Sequence, residues 1–191
     1  DKAALETAVS AWLSDASSAE AMYGHISTWE TSEVTDMSYL FSACDWDSRC
    51  NSAAASFNED ISAWDTSGVT TMDYMFHGAR DFNHHVGDWD TSAVTDMSGL
   101  FADEDFINHG RSCTALDTEI LDIASWDISQ VTNFDRMFYN MYTLSELGFG
   151  GCLDWDLPGG ATTTDMFDGN QGFIEPLYLG NLCHCKKHQF W

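Results

Sequence analysis

Apolar residues recur along this chain in one fixed phrase. Trp29, Trp64, Trp89, Trp126 and Trp155 are each followed twelve residues later by a phenylalanine, at Phe41, Phe76, Phe101, Phe138 and Phe167. The blocks they bound read WETSEVTDMSYLF, WDTSGVTTMDYMF, WDTSAVTDMSGLF, WDISQVTNFDRMF and WDLPGGATTTDMF. Upstream of each Trp, the segments Ile26-Ser27-Thr28, Ile61-Ser62-Ala63, Val86-Gly87-Asp88 and Ile123-Ala124-Ser125 place one apolar residue among small polar ones and are read as short strands. Thr31-Ser32, Thr66-Ser67 and Thr91-Ser92 supply hydroxyls that bond nearby backbone amides in a turn. Thr35-Asp36, Thr70-Thr71 and Thr95-Asp96 then suit a helix N-cap. Met37, Leu40 and Phe41, like Met72, Met75 and Phe76, fall at i, i+3 and i+4, the spacing of one helical face. Core packing is the reading of all these Trp, Met and Phe positions.

The five repeat tryptophans are spaced at offsets of 35, 25, 37 and 29, so the basic unit is about 25 long. Extra residues enter only between one Phe and the next Trp, at roughly 42–56, 102–120 and 139–150. Insertions confined to one phase of a repeat map to one side of a stack, and specificity is expected there. A strand, a turn and one short helix per unit predict an α/β fold: a leucine-rich-repeat-like solenoid of about five coils. One such coil cannot bury its own face, whereas five exceed the minimum of about three. Residues 1–24 form an N-terminal helical cap. Ala4, Leu5, Ala8, Val9, Trp12 and Leu13 share a helical face, Ser17-Ser18-Ala19-Glu20 resembles a second start, and Gly24 a stop. The repeats occupy 25–170, and 171–191 make a C-terminal cap and tail, the whole being one structural domain. Pro158-Gly159-Gly160 makes the fifth repeat degenerate, as a terminal repeat should be.

Charge narrows the partners. Thirty-one acidic against 7 basic residues leave −24 among 191 residues. Such a polyanion repels nucleic-acid phosphate and anionic lipid, and no apolar run approaches a membrane-spanning length, so neither nucleic acid nor membrane insertion is expected. With 44% hydrophobic and 14% aromatic residues it is not a disordered acidic tail either. Six cysteines, Cys44, Cys50, Cys113, Cys152, Cys183 and Cys185, form an even set without paired zinc knuckles. They are read as disulfide candidates. Cys44 with Cys50 is the easiest pair and Cys113 with Cys152 a weaker one, with fifteen connectivities open. Disulfides imply an oxidising compartment. The chain starts at Asp1 without Met, as after signal removal, and a secreted or extracellular surface location is the expectation.

Carboxylates follow the tryptophans, and Asp65, Asp90 and Asp127 would align as a column. Turn-capping is the plain reading, and calcium bridging the alternative. No cofactor is expected otherwise. His84-His85 is read as a solvated loop, and no catalytic residues are assigned.

The phrases FNEDISAWDTSGVTTMDYMF (57–76) and FNHHVGDWDTSAVTDMSGLF (82–101) resemble the BspA-like surface-protein repeat, also described as the mycoplasma-lipoprotein type. The resemblance covers about 25–170, and the stretch from Ala8 to Phe41 resembles the opening of microalgal members. It implies a secreted or surface-anchored repeat solenoid with adhesive or structural roles and no catalytic residues.

Two functions are carried forward. The first is a non-enzymatic structural subunit that self-associates into a surface fibre or filament. Lys186, Lys187, Phe190 and Trp191 would form a basic, aromatic joint onto the acidic body of another copy. The second is a cell-surface adhesion or ligand-binding module. Partners would be other copies or extracellular proteins.

Overall fold

Helix α1 spans Lys2–Ser14 and helix α2 Ala16–Tyr23 in the computed structural model, which describes residues 1–103, 123–140 and 155–169. Asp1 caps α1 by accepting the Ala4 amide, and Asp15 caps α2 by accepting both the amide and the hydroxyl of Ser18. Gly24, at φ 79°, terminates α2. Leu5, Ala8, Val9 and Trp12 are the buried stripe of α1. Trp12 meets Trp29 edge-on at 5.8 Å, and Lys2 donates to Asp36 at 2.7 Å, so the helices are seated on the first repeat.

Beyond Gly24 the expected α/β leucine-rich-repeat-like architecture is not found. Among the described residues there is no strand and no sheet, only single parallel bridges that link Asp36 to Thr71, Thr71 to Asp96, Asp96 to Asn133 and Asn133 to Thr162. The segments read as strands are short 3-10 turns at Ile26–Thr28 and Ile123–Ser125 and ordinary turns elsewhere. The segments read as short helices are runs of turns.

The reason lies in where the amides go. In the first repeat Met37, Tyr39, Phe41 and Ala43 donate to Thr71, Asp73, Met75 and His77 of the second. The intervening Leu40 and Ser42 donate back three residues, to Met37 and Tyr39. Alternate amides therefore serve the neighbouring repeat and the local turn. An α-helix would direct every amide four residues back, and a strand would extend the chain. Tyr39 (φ 63°), Tyr74 (φ 55°), Gly99 (φ 59°), Arg136 (φ 57°) and Asp165 (φ 54°) all adopt the left-handed conformation two residues before the repeat Phe. One such residue per repeat is enough to stop a helix from propagating.

Side chains continue the register. Phe41, Phe76, Phe101, Phe138 and Phe167 stack in one column at centroid separations of 5.6, 5.8, 6.0 and 5.4 Å. Phe57 and Phe82 form a second column beside it, 4.0 Å from Phe41 and 4.3 Å from Phe76 respectively. Three of the tryptophans are staples. Trp64, Trp89 and Trp126 donate from Nε1 to the carbonyls of Ile26, Ile61 and Val86 in the preceding repeat. The same rings lie against the preceding Phe41, Phe76 and Phe101. Buried Thr31, Thr66 and Thr91 donate forward to the carbonyls of Asp65, Asp90 and Asp127. Thus indole, phenyl and hydroxyl groups all bond between repeats, which explains why the phrase recurs with so little change.

Candidate functional site

Two positions inside the phrase vary most: the one that reads Glu33, Gly68, Ala93, Gln130, Gly159, and the left-handed one, which reads Tyr39, Tyr74, Gly99, Arg136, Asp165. Its neighbours are fixed by the core. The Tyr39 and Tyr74 rings stack at 5.1 Å and 13°. Above them folds the first insertion, closed by a Cys44–Cys50 disulfide with Cα atoms 5.2 Å apart. Arg49 from this loop places its guanidinium 3.6 Å over the Tyr39 ring and pairs with Asp47 at 2.6 Å. That contact holds the Asp47 carboxyl down at about 2, while burial pushes the Tyr39 phenol up to about 12. Trp46, half exposed, sets its edge on Tyr74 at 6.0 Å and on His77 at 5.7 Å.

At Gly99 the column loses a side chain. Tyr74 leans into part of the space, and a Cβ at Gly99 would meet its ring at 2.7 Å. An open hollow of about 430 Å³ lies between Tyr74 and Arg136. Ser98, Asn133, Asp135, Thr164 and Asp165 complete its lining. These groups are held in place. Asp135 accepts the Thr164 amide at 2.6 Å, Asn133 donates to Asp96 at 3.2 Å, and Arg136 faces Asp165 at 3.7 Å. The hollow therefore offers an aromatic face, hydroxyls, an amide, carboxylates and a guanidinium, which suits hydrogen bonding to a polar ligand.

Alongside runs a row of acids with opposed tendencies. Burial pushes Asp36 up, but hydrogen bonds from Lys2 and Ser38 outweigh it and hold the carboxyl below its usual range. Burial raises Asp73, and the neighbouring Asp96 and Asp36 charges add to this against the Thr71 hydroxyl. A raised folded value means that Asp73 loses stability for the fold as pH rises through the carboxylate range. Asp73→Asn should therefore raise the melting temperature by about 1–3 °C at neutral pH. The gain should vanish near pH 3, where the acid is protonated in either state. Thermal melts at both pH values check this; a gain that persists unchanged in acid would contradict it.

Asp65, Asp90 and Asp127 lie elsewhere, each capping its own turn. Asp65 and Asp90 accept the hydroxyls and amides of Ser67 and Ser92, and Asp127 the amide and hydroxyl of Ser129, which holds all three carboxyls below their usual range. Among the described residues no group of three or more His, Cys, Asp or Glu is arranged to hold a metal ion. His84 contacts the Asn58 carbonyl at 3.1 Å and His85 pairs with Asp88 at 3.3 Å. Cys113, Cys152, Cys183, Cys185, Lys186, Lys187, Phe190 and Trp191 lie outside the described residues. The sequence reading placed specificity in the insertions and passed over the variable left-handed position. Its row of unlike residues is a signal it shares with Glu33, Gly68, Ala93, Gln130 and Gly159, so the sequence alone does not single it out.

Backbone and indole hydrogen bonds join the successive Trp-to-Phe blocks side by side. Residues 7–119 and 52–178 match the family described as "Mycoplasma protein of unknown function, DUF285", and the chain belongs to that family, which includes the BspA-like repeat proteins. No curated protein and no solved structure matches the chain. Among the described residues no helix is long and apolar enough to cross a membrane.

Proposed function

We propose that this chain is a non-enzymatic, extracellular adhesion or ligand-binding module. The single observation behind this reading is the row of left-handed positions, where a constant core displays unlike residues beside an open polar hollow between Tyr74 and Arg136. Membership of a family that includes surface proteins, together with a disulfide suited to an oxidising compartment, supports placing it outside the cell. The self-associating fibre reading turns on a joint at Lys186, Lys187, Phe190 and Trp191, which lie outside the described residues; α1 and α2, seated on the first repeat, count only against stacking through that end.

Microspheres coated with the chain should adhere to cell surfaces or extracellular matrix. Trp46→Ala and Tyr74→Ala should each reduce adhesion severalfold with near-native circular dichroism. The soluble chain should remain monomeric at high concentration by light scattering. Equal adhesion by coated and bare beads, or filaments seen by electron microscopy, would sink this reading.

A further inference from the structure

Trp29, Trp64, Trp89 and Trp126 donate their indole N–H groups to backbone carbonyls of the stack. Trp46 does not. Its indole N–H has no acceptor among the described residues, and half of the side chain is exposed. The ring meets Tyr74 and His77 at steep interplanar angles of 78° and 84° and otherwise stands out from the body on its loop. That loop is fixed from several sides. The Cys44–Cys50 disulfide closes it. The Asp47 carboxylate accepts the Arg49 amide at 2.9 Å and its Nη2 at 2.6 Å, and the Asp47 carbonyl accepts the Cys50 amide at 3.1 Å. The Asn51 amide donates to the Ser42 carbonyl at 2.8 Å where the loop rejoins the stack. A large amphipathic ring held in water by a rigid loop is the usual anchor of a binding surface, because little ordering remains to be done on association. We propose that Trp46 anchors a docking surface for an arginine-bearing segment of an extracellular protein, with a guanidinium stacked on the exposed indole beside the Asp45 carboxylate. This assignment rests on the adhesion or ligand-binding reading above and names its partner class.

Charge selects the partner. Asp45, exposed and next to Trp46 in the chain, has a carboxylate with no hydrogen bond or ion pair among the described residues. The one cation of the loop, Arg49, is already matched by Asp47. A net charge of −24 repels an acidic partner and attracts a basic one. An apolar partner would strip water from Asp45 without replacing its hydrogen bonds, which is costly. Among cations the indole favours guanidinium over ammonium, since a planar guanidinium stacks on the ring and keeps the donors at its rim free for a carboxylate. The loop already builds this arrangement once. Arg49 lies 3.6 Å over the Tyr39 ring while bonded to Asp47, a cation on an aromatic face with a carboxylate at its edge. Trp46 and Asp45 offer the same two elements to a group from outside.

Binding to the full chain is to be measured by calorimetry and tryptophan fluorescence at low and at physiological salt. The probes are peptides of equal length bearing arginine, lysine, glutamate, or only serine and glycine, together with a neutral oligosaccharide. The arginine peptide should bind saturably, more tightly than the lysine peptide, and less tightly as salt rises. Trp46→Ala should weaken it about fivefold or more, and Trp46→Phe should recover part of the loss. Neither change alters the net charge, so non-specific attraction to a polyanion would survive both. Asp45→Asn should weaken binding about twofold or more, whereas Asp90→Asn, which removes the same charge elsewhere, should leave it unchanged. Near-native circular dichroism is expected of every variant, because all three side chains are exposed. The proposal is overturned if no arginine peptide binds, if Trp46→Ala binds it as tightly as wild type, or if the lysine peptide binds equally well. Binding of the oligosaccharide or the acidic peptide alone would also overturn it. Should coated microspheres adhere while the arginine peptide fails, this assignment falls and the adhesion reading stands. Should the arginine peptide bind through Trp46 while the microspheres fail, adhesion falls and the docking surface stands.

Discussion

Phe76→Ala should lower stability by about 3–5 kcal/mol, which for a chain of this size is a fall in melting temperature of about 6–20 °C. The ring occupies the middle of the column. Phe41 lies 5.6 Å away on one side and Phe101 5.8 Å on the other, with Phe82 at 4.3 Å and Trp89 at 6.1 Å completing the surround. Removing it takes away its own burial and opens a cavity between two columns whose backbones cannot collapse, because amide bonds from repeat to repeat hold them in register. It also interrupts four ring contacts, each worth about 0.5–1.5 kcal/mol beyond burial. Met22→Ala, at a side chain 73% exposed, is the control and should be neutral within about 0.5 kcal/mol. Denaturant titration of both variants checks the prediction, and a loss below about 1.5 kcal/mol for Phe76→Ala would show that the column is not what holds the repeats together.

Gly78→Ala should cost about 2–4 kcal/mol although it adds only one methyl group. Gly78 has φ 66°, and an added Cβ would lie 2.5 Å from the Ala43 carbonyl oxygen. Positive φ by itself is tolerated in this protein, as Tyr39, Tyr74 and Arg136 show. What sets Gly78 apart is that the obstructing atom belongs to backbone. The Ala43 amide donates to the His77 carbonyl at 2.7 Å, and the Gly78 amide to the Ala102 carbonyl at 2.8 Å, so neither segment can withdraw without losing a rung. Gly159→Ala meets nothing within 4 Å and should change stability little. Melts of the two variants side by side test the argument. Equal melting temperatures would mean that the close approach is relieved at no cost.

The contrast between these glycines bears on the candidate site as well. At Gly99 the obstructing atoms are those of the Tyr74 ring, a side chain rather than backbone, already stacked on Tyr39. Rungs of backbone keep the strip of variable residues in register, so changes on it need not propagate inward.

From its residues alone the chain discloses its repeat unit and its core. A tryptophan and a phenylalanine at a constant offset, with Val69, Met72 and Met75 or their equivalents between, mark buried positions because burial depends on side-chain identity and spacing. The helical cap was equally legible, since the stripe of α1 and the stop at Gly24 are local features. The backbone path of each repeat was not. Met37, Leu40 and Phe41 fit a helix by spacing, yet the amides of Met37, Tyr39 and Phe41 find acceptors in a repeat about 34 residues away. No local pattern records which partner an amide will choose. Likewise the meeting of Arg49, Trp46 and Tyr74 depends on a disulfide loop folding back across two repeats. The hollow between Tyr74 and Arg136 depends on which side chains the neighbouring repeats happen to place beside it. Such hydrogen bonds and contacts join segments distant in sequence, and only the tertiary structure brings them together.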